Sequence, residues 1–359
     1  MLNLMTAARK APTIQDVARI ANVSTATVSR ALSNPGRVSE ATRTRVSEAV
    51  AKTGYTLNQA ARSLRQKTSR TILVALPDIR NTFFSTILDA IEREAALRGY
   101  GVLVTNRFSG HDPVRHLKDY FRSNRADGLL LLDGSLELDE LIDLTGSPVT
   151  VPLVVACEEI PNSPFHTVKT DNCFAAARAT RHLIDLGHMR IGHILGPEGN
   201  VLTAERRAGY LQAMQEAGLA ASPKWLFPGS FEMESGYLAA SHFLALQERP
   251  SAIFAANDEM AIGFLSGLRE HGLECPRDVS IIGFDDLAVA LHYAPPLTTI
   301  RQPRAAIGRL AAEALIDILE GESRQGEPLR IVLNSELILR DSTAPFGVHH
   351  PNAAEIRCT

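Results

Sequence analysis

Short hydroxyl side chains and one arginine lie close together in the stretch VSTATVSRAL, residues 23–32. In a helix, Val28 and Leu32 would share one face, and the face turned away from them would carry small and polar residues, namely Thr25, Ala26, Ser29 and Arg30. Small side chains let a helix enter a DNA major groove of about 12 Å width. Ser24 and Thr27, with the backbone N–H groups of the helix start, can hold phosphates. Arg30 can bond a guanine edge or a phosphate, and the sequence leaves both open.

The sequence contains none of the motifs that are typical of common enzyme sites. GxGxxG, GxxxxGK[ST], GxSxG and HExxH are all absent. His188 and His193 lie across a helix-to-strand junction, which favours structural roles over metal binding. Neither a disulfide framework nor a thiolate metal site is predicted by the four scattered cysteines, Cys157, Cys173, Cys275 and Cys358. We therefore expect no catalysis, no metal and no cofactor.

Three short helices are predicted before residue 56. Thr13 and Asp16 have the spacing of a capping box, and the acidic group is favourable near the positive helix end. The third helix is predicted from Glu40 to about Lys52. The residues that start or stop the three helices are, in chain order, Thr13, Asn22, Ser24, Asn34, Ser39 and Gly54. Two short helices across a tight turn, with a third for support, predict a helix-turn-helix unit.

The charge of the chain is unevenly distributed. The net charge of the 359 residues is −3, yet residues 1–70 hold 12 Lys+Arg and 3 Asp+Glu, a net charge of +9. The remaining residues carry a net charge of −12. A small basic module joined to a large acidic body predicts a polyanionic partner for the first part only.

The basic segment TLNQAARSLRQKTS follows the third helix. Residues 58–64 could form about two helical turns, which are too short to be stable alone. Such a segment can fold on DNA, where Leu64 would act as an apolar wedge in the minor groove. The alternative is a frayed linker with an incidental leucine.

The stretch TIQDVARIANVSTATVSRALSNPGRVSEATRTRVSEAVAKTGYTLNQAARSL resembles the LacI/GalR family of bacterial transcription regulators. The resemblance implies that the second helix reads the major groove, that residues 58–64 are a hinge helix with an intercalating leucine, and that a dimer binds a near-palindromic operator. The predicted DNA contacts are Thr13, Ser24, Thr25, Ala26, Thr27, Ser29, Arg30, Asn34, Asn58, Ala61 and Leu64.

From residue 71 the pattern changes to α/β. Buried parallel strands are predicted at TILVALP, GVLVTN, GLLLL and PLVVA, and a second series at RIGHIL, AIFAA and SIIGF. Helices are predicted near 83–98, 112–124, 136–145, 172–187, 204–217, 235–247 and 258–271. Two successive doubly wound parallel-sheet units imply a ligand cleft between them, at the carboxyl ends of the strands.

This body is similar to the type I periplasmic-binding-protein-like core of the same family. The resemblance implies three crossings between subdomains, near 171, 301 and 331. The N-subdomain would comprise about 71–171 and 302–331, and the C-subdomain about 172–301 and 332–342. The other predicted segments are a disordered start at 1–12, the helix-turn-helix domain at 13–56, the hinge and linker at 57–70, and a disordered tail at 343–359.

The cleft candidates follow predicted strands. The stretch PDIRNTFF comes directly after the first one. By resemblance to the family, the ligand-binding positions are Asp78, Asn81, Phe83, Phe84, Glu158, Arg206, Phe231, Asn257, Asp285 and Gln302. A carboxylate paired with an arginine suits hydroxyl recognition, because charged groups form stronger hydrogen bonds than neutral ones.

Structural roles are the alternative for several of these residues. The two phenylalanines could be core residues, Arg206 could form a surface ion pair, Asp285 could cap a turn, and Asn257 could start a helix. Within the family, the chain looks most similar to the cytidine (nucleoside) repressor branch, although Asn81-Thr82 departs from the pattern expected there. The predicted effector is a nucleoside first and a pentose or hexose second.

The whole chain could belong to one of three classes of protein. A solute-binding protein with the same body would need no basic head, and an enzyme would need a catalytic motif. The hypothesis that the sequence favours is a DNA-binding regulator, a repressor by resemblance, whose ligand shifts the population of two subdomain arrangements. Inducer and corepressor stay open.

Location and assembly follow from the absence of certain segments. No apolar run approaches the roughly 18 residues of a membrane span, and residues 1–12 lack a secretory apolar region. We therefore expect a cytoplasmic protein with no membrane contact. No heptad repeat follows residue 342, which favours a homodimer over a tetramer.

Overall fold

A computed structural model describes residues 12–33, 35–55, 68–106, 113–145, 152–322 and 327–347. The chain divides into two compact units between Ser69 and Arg70. The first unit contains the helix-turn-helix region, called the headpiece below (residues 12–55), and the second contains the body (residues 70–347). Among the described residues, no helix has both the length and the apolar character needed to cross a membrane.

The headpiece contains the three predicted helices, α1 (Ile14–Ala21), α2 (Thr25–Ser33) and α3 (Glu40–Thr53), with a short 3-10 turn at Pro35–Arg37. Their ends are set locally. Thr13 and Asp16 form the predicted reciprocal capping box at the start of α1, and Asn22 ends that helix in the left-handed conformation, at φ 50°. The Ser39 hydroxyl accepts from the backbone N–H of Thr42 to start α3.

One small core holds the three headpiece helices together. It consists of residues from all three, namely Val17, Ala18, Ala21, Val28, Ala31, Val46 and Ala49. Alanine and valine fill most of these positions, so the helices approach closely and little side-chain entropy is lost on folding. Val28 is fully buried on α2, as the sequence predicts.

The N-subdomain of the body is built on a six-stranded parallel sheet. The strands are β1 (Thr71–Leu76), β2 (Gly101–Asn106), β3 (Gly128–Leu131), β4 (Leu153–Cys157), β5 (His166–Thr170) and β11 (Arg330–Leu333). They lie in the order β11-β5-β4-β3-β1-β2. The helices that accompany them are α4 (Phe83–Leu97), α5 (Pro113–Arg122), α6 (Leu138–Thr145) and α12 (Arg304–Glu320). The central strands are buried on both faces, which is why they read as continuous apolar runs.

The C-subdomain is built on a second six-stranded sheet. Its strands are β6 (Ile191–Ile194), β7 (Leu226–Phe227), β8 (Ala252–Ala255), β9 (Ser280–Asp285), β10 (Thr298–Arg301) and β12 (Glu336–Ile338). They lie in the order β12-β10-β9-β8-β6-β7, and among these described strands only the β10–β12 pairing is antiparallel. Its helices are α7 (Asn172–Asp185), α8 (Val201–Glu216), α9 (Met233–Leu244), α10 (Asp258–Glu270) and α11 (Ala288–His292), with a 3-10 turn at Pro223–Trp225.

The chain crosses between the two sheets three times. It crosses at Asp171 between β5 and α7, at Gln302 between β10 and α12, and after Leu333 between β11 and β12. The third crossing lies later than the predicted position near 331, because β11 pairs with β5 through Leu333. Each subdomain is therefore assembled from separated stretches of chain.

The tail predicted to be disordered from residue 343 is ordered through Gly347. The backbone N–H of Ala344 donates to the Ser280 hydroxyl at 3.0 Å, and that of Phe346 donates to the Leu186 carbonyl at 2.8 Å. His188 approaches the Ala344 carbonyl at 3.0 Å. These contacts fix the segment to the C-subdomain, so the ordered chain extends five residues beyond the predicted boundary at 342. Residues 348–359 lie outside the described residues.

Candidate functional site

The exposed face of α2 carries the small side chains that the sequence places there. Thr25, Ala26 and Arg30 are exposed, and Ser29 is half-buried. The Arg30 Nε donates to the Ala26 carbonyl at 3.4 Å, so the guanidinium lies along the helix surface. Val28 is buried on the opposite side of the helix, and Arg30 is the one large side chain among these four residues. The exposed face has the shape and the donors that a major-groove contact requires.

The start of α2 presents two hydroxyl groups beside the first backbone N–H groups of the helix. The Ser24 Oγ accepts from the backbone N–H of Thr27 at 3.1 Å and lies 2.8 Å from the Thr27 Oγ1. Thr13 occupies the corresponding place on α1, where its Oγ1 donates to Asp16 at 2.8 Å. DNA contact by these residues stays a prediction. The predicted contacts Asn34, Asn58, Ala61 and Leu64 lie outside the described residues.

A cavity of about 1030 Å³ lies between the two subdomains of the body. Nine of the ten residues predicted for the effector site line it, namely Asp78, Asn81, Phe83, Phe84, Glu158, Arg206, Phe231, Asn257 and Asp285. The tenth, Gln302, lies behind the wall, where its amide donates to the Asp285 Oδ1 at 2.7 Å. The structure thus brings the candidates together, and their contact with an effector stays a prediction.

A buried arginine and a buried aspartate dominate the C-subdomain wall. The Arg206 guanidinium is fixed by the Asn172 Oδ1 at 3.0 Å and the Ala256 carbonyl at 2.6 Å, and its Nη2 lies 4.0 Å from the Asp285 Oδ1. It also stacks 3.9 Å from the ring centroid of Phe284. Arg206 is therefore a buried, oriented donor and not the surface ion pair that the sequence left open.

Burial shifts the pKa of each member of this pair towards its neutral form, and the opposite charge of the partner counteracts the shift. Burial raises the pKa of Asp285 to about 6, although the neighbouring Arg206 and the Gln302 amide both lower it. Burial lowers the pKa of Arg206, and Asp285 opposes that shift. Above pH 6 the site therefore offers a carboxylate acceptor next to a cationic donor, which suits a pair of hydroxyl groups.

Asn257 has a structural role at the site as well as a place in its wall. Its Oδ1 accepts from the backbone N–H of Met260 at 2.9 Å and caps α10, which is the alternative that the sequence left open. Its Nδ2 donates to the Phe231 carbonyl at 2.8 Å. Asn257 thus positions Phe231, whose ring lies 5.6 Å from the Arg206 guanidinium carbon.

Three non-glycine residues of the cavity wall have positive φ angles. Cys157 has φ 71°, Phe231 has φ 66° and Asp285 has φ 113°. Such conformations cost on the order of 1–3 kcal/mol each and persist only where surrounding contacts enforce them. Contacts within each subdomain therefore hold its part of the wall in this conformation.

The N-subdomain side of the cavity combines a loop and an aromatic pair. The Arg80 Nη2 donates to the Asp78 Oδ2 at 2.7 Å, and this arginine holds the pKa of Asp78 below its usual value. Asn81 accepts from the backbone N–H of Phe83 at 2.9 Å. Phe83 and Phe84 pack edge to face at 5.1 Å, belong to the N-subdomain core and also face the cavity. The core alternative is therefore confirmed for both phenylalanines, and their contact with an effector stays a prediction.

Several polar residues that line the cavity are not among the predicted positions, and Asp133 and Asn200 are two of them. Asp133 follows β3 in the same way that Glu158 follows β4, so the rule that found one could have found the other. Asn200 caps α8 through its Oδ1, and its Nδ2 lies 3.4 Å from the Glu158 Oε2. This contact joins the C-subdomain to the N-subdomain. Burial and the charge of Asp133 raise the pKa of Glu158 to about 7.

The two histidines with predicted structural roles have structural partners. The His188 Nδ1 lies 2.9 Å from the Ser251 hydroxyl, and the His193 Nδ1 lies 2.9 Å from the Phe254 carbonyl. The His193 ring stacks on that of Phe254 with centroids 4.5 Å apart. In the described part of the chain, no three His, Cys, Asp or Glu side chains cluster as a metal site would require.

Comparison with known proteins matches both units. Residues 13–58 match the family model described as bacterial regulatory proteins, lacI family, and residues 180–343 match a periplasmic binding protein-like domain. The chain is 42% identical over 333 residues to the HTH-type transcriptional repressor CytR of Escherichia coli (strain K12), covering 93% of this chain and 96% of that protein. It is 35% identical over 315 residues to the HTH-type transcriptional repressor PurR of Aliivibrio salmonicida, covering 87% and 94%.

A solved structure agrees with these sequence matches. The lac repressor dimer bound to operator and the anti-inducer ONPF superposes with a TM-score of 0.82 at 28% identity, covering 93% of this chain and 100% of that one.

Proposed function

Because this chain belongs to the LacI family of bacterial regulatory proteins, we propose that it represses transcription by binding a near-palindromic operator as a homodimer, under the control of a small effector. It is a regulator and not an enzyme. A solute-binding protein of the same fold is not favoured, since the headpiece is part of the chain. The expected cytoplasmic location accords with a protein whose partner is operator DNA.

The observation that carries this proposal is that one chain combines two sites. An α2 face with exposed Thr25, Ala26 and Arg30 belongs to a basic headpiece, and a 1030 Å³ cavity lined by Arg206 and Asp285 belongs to the body. The headpiece supplies hydroxyl and cationic groups for DNA phosphates and base edges. The cavity is large enough for a ligand of nucleoside size. Neither site alone accounts for regulated DNA binding.

For the effector, we propose a nucleoside first and a pentose or hexose second. Arg206 can donate to, and Asp285 can accept from, two vicinal hydroxyls, and the Gln302 amide holds the carboxylate in place. Phe83 and Phe231 offer aromatic faces to a planar ring. A base together with a ribose would use both the aromatic and the charged parts of the wall, whereas a single sugar ring would use mainly the charged part.

The proposed mechanism is a population shift between two subdomain arrangements. The contacts that join the subdomains beside the cavity include Asn200 with Glu158, and Lys169 of the N-subdomain, whose Nζ lies 2.8 Å from Glu205 of the C-subdomain. An effector changes operator affinity only as far as its own affinity differs between the two arrangements. A ligand that contacts Glu158 and Arg206 together touches both subdomains, so it is sensitive to their spacing.

A thermal-shift screen of the full chain against nucleosides, pentoses and hexoses tests the effector proposal. Ligand at about 100 times its Kd stabilises the folded body by about 2.7 kcal/mol, which raises the unfolding temperature measurably. We expect nucleosides to give the largest shifts. A response to sugars alone would contradict the nucleoside proposal, and binding of no member of either class would contradict the assignment of the cavity.

A further inference from the structure

The loop after β9 carries three consecutive residues, Asp285, Asp286 and Leu287, whose side chains contact different parts of the body. Asp285 lines the cavity. The Leu287 side chain is only 3% exposed and lies in the buried apolar cluster of the N-subdomain that contains Phe84 and Ile307. Asp285 and Asp286 have φ angles of 113° and 54°, which are strained for residues other than glycine. A loop of the C-subdomain thus crosses the subdomain boundary in a conformation that its contacts must enforce.

The C-subdomain holds this loop through charged groups. The Asp286 carboxylate accepts from the Arg301 Nε at 2.7 Å and from the Arg340 Nη2 at 2.6 Å. The Leu287 N–H donates to the Asp258 Oδ2 at 2.8 Å. Hydrogen bonds of this kind are roughly twice as strong as bonds between neutral groups. The loop therefore moves with the C-subdomain as one body.

Arg304, the first residue of α12, contacts the same loop from the N-subdomain. Its Nη2 donates to the Asp286 carbonyl at 2.9 Å, and its Nη1 donates to the Phe83 carbonyl at 3.5 Å. The guanidinium carbon lies 5.8 Å from the centroid of the Phe83 ring. Arg304 does not itself line the described cavity, yet it touches two loops that do, one from each subdomain.

The stability of α12 does not account for the position of Arg304. A cation at the start of a helix is unfavourable, because the helix dipole is positive there, and the first turn of α12 contains no acidic residue. Arg309, further along the same helix, pairs with Glu313 one turn ahead, which is the ordinary arrangement on a helix surface. Arg304 is therefore held by its contacts across the subdomain boundary.

We propose that Arg304 is a positioning residue that couples effector binding to the arrangement of the two subdomains, by holding the Asp286 carbonyl against the Phe83 loop. This inference rests on the effector-controlled operator binding proposed above. The bond between Arg304 and Asp286 depends on the spacing of the subdomains, and at this spacing Glu158 and Arg206 line one cavity. An effector that contacts both subdomains therefore favours the same arrangement that Arg304 stabilises.

This shared preference fixes the direction of the effect, whether the effector strengthens or weakens operator binding. When the Arg304 contact is removed, the ligand-free protein shifts away from the arrangement that the effector favours. Effector binding becomes weaker, because part of its binding energy must restore that arrangement. The operator affinity of the ligand-free protein changes in the direction opposite to the change that the effector causes in the wild type.

Arg304→Met tests the inference, since methionine is also unbranched and has no hydrogen-bond donor. Calorimetric titration of the full chain with cytidine, the probe nucleoside, should give a Kd about 10-fold higher or more, as expected for the loss of a hydrogen bond to a charged group. Fluorescence anisotropy with labelled genomic operator fragments, without cytidine, should give an operator Kd that differs from the wild-type value by at least about threefold. Its direction should be opposite to the effect of cytidine on the wild-type protein.

Three further variants complete the test. Arg304→Lys keeps one cation that can donate to the Asp286 carbonyl, so both dissociation constants should return to within about threefold of wild type. Arg309→Met is the matched control on the same helix and should change neither constant. Leu287→Ala removes the apolar contact of the same loop with the N-subdomain and should shift both constants in the same direction as Arg304→Met. Unfolding temperatures without ligand confirm that each variant is folded.

The outcomes distinguish this inference from the proposed function. An operator Kd in ligand-free Arg304→Met that is unchanged, or that shifts in the same direction as the cytidine effect, overturns the inference and leaves regulated repression standing. If a pentose or hexose binds in place of cytidine, the nucleoside proposal fails, and the same titrations with that sugar test Arg304. If no ligand that binds the cavity alters operator binding by the wild-type protein, both the proposed function and this inference are overturned.

Discussion

Replacement of Asp285 by asparagine tests the effector site with little change in shape. Asparagine has the same size, tolerates a positive φ, here 113°, and keeps an oxygen to accept the Gln302 bond of 2.7 Å. Arg206 keeps its bonds to Asn172 and Ala256. The substitution therefore removes a negative charge, and with it the ion pair to Arg206, and leaves the hydrogen bonds to Gln302, Asn172 and Ala256 in place.

The expected loss of effector affinity follows from the kind of hydrogen bond that is removed. Bonds to a charged group contribute about 1.5–3 kcal/mol, so the effector should bind about 10- to 150-fold more weakly to the variant. Because burial raises the pKa of Asp285 to about 6, wild-type affinity should fall as the pH drops through 6, and the two proteins should become similar near pH 5.

Fluorescence anisotropy of a labelled operator, titrated with effector at pH 7.5 and pH 5, measures this directly. The midpoint of the effector response should shift in Asp285→Asn at pH 7.5, while operator affinity without effector matches that of the wild type. The exposed Asp185→Asn serves as the control for loss of one negative charge. An unchanged midpoint at pH 7.5 would refute the placement of effector hydroxyls at Asp285.

Four further results are expected. Operator affinity should fall by roughly 10³-fold or more between about 50 and 200 mM salt if about six phosphates are contacted, and a flat salt response would exclude the basic headpiece as the contact surface. Leu64→Ala should weaken specific binding more than non-specific binding in gel-shift titrations, whereas equal losses would contradict the wedge. Thr13→Ala removes the capping box of α1 and should lower the free energy of unfolding of the headpiece by about 1 kcal/mol in urea titrations. An unchanged free energy of unfolding would count against that cap. Gly209→Ala would place a Cβ against the Cys173 carbonyl and should lower the free energy of unfolding by about 1–3 kcal/mol, while the exposed Ala208→Ser should change it little. Equal stabilities of the two variants would contradict the close packing of α7 on α8.

Helix ends in the headpiece could be predicted because they depend on local hydrogen bonds. Thr13, Ser24 and Ser39 each accept from a backbone N–H three residues ahead, and Gly54 takes the left-handed conformation at φ 65°. No distant contact is needed to recognise such positions. The capping predictions were confirmed for this reason.

The cavity was predicted well where one rule applied and poorly where tertiary contacts decide. Residues that follow strands were found, yet Asp133, which follows β3 in the same way, was overlooked. Gln302 lies on a crossing segment, and only the fold shows that it supports Asp285 from behind. Asn257 serves both as a helix cap and as a support for Phe231, a combination that sequence spacing does not reveal.

Several elements at the crossings were not predicted. The strands β5, β10, β11 and β12 have three to five residues and mix polar with apolar side chains, so their periodicity is weak. They become strands because a neighbouring strand is already in place. The same holds for residues 343–347, which contain no pattern of their own and are ordered by Ser280, Leu186 and His188.

The central claim is that a ligand in the body controls DNA binding by the headpiece of the same chain. Its most direct test is the operator affinity of the purified full chain, measured by anisotropy with genomic operator fragments in the absence and presence of a saturating nucleoside. We expect specific binding to a near-palindromic site and a change in Kd of at least about fivefold on addition of the nucleoside, in line with ordinary coupling energies of 1–3 kcal/mol. Equal affinity with and without every ligand that binds the cavity would contradict the account.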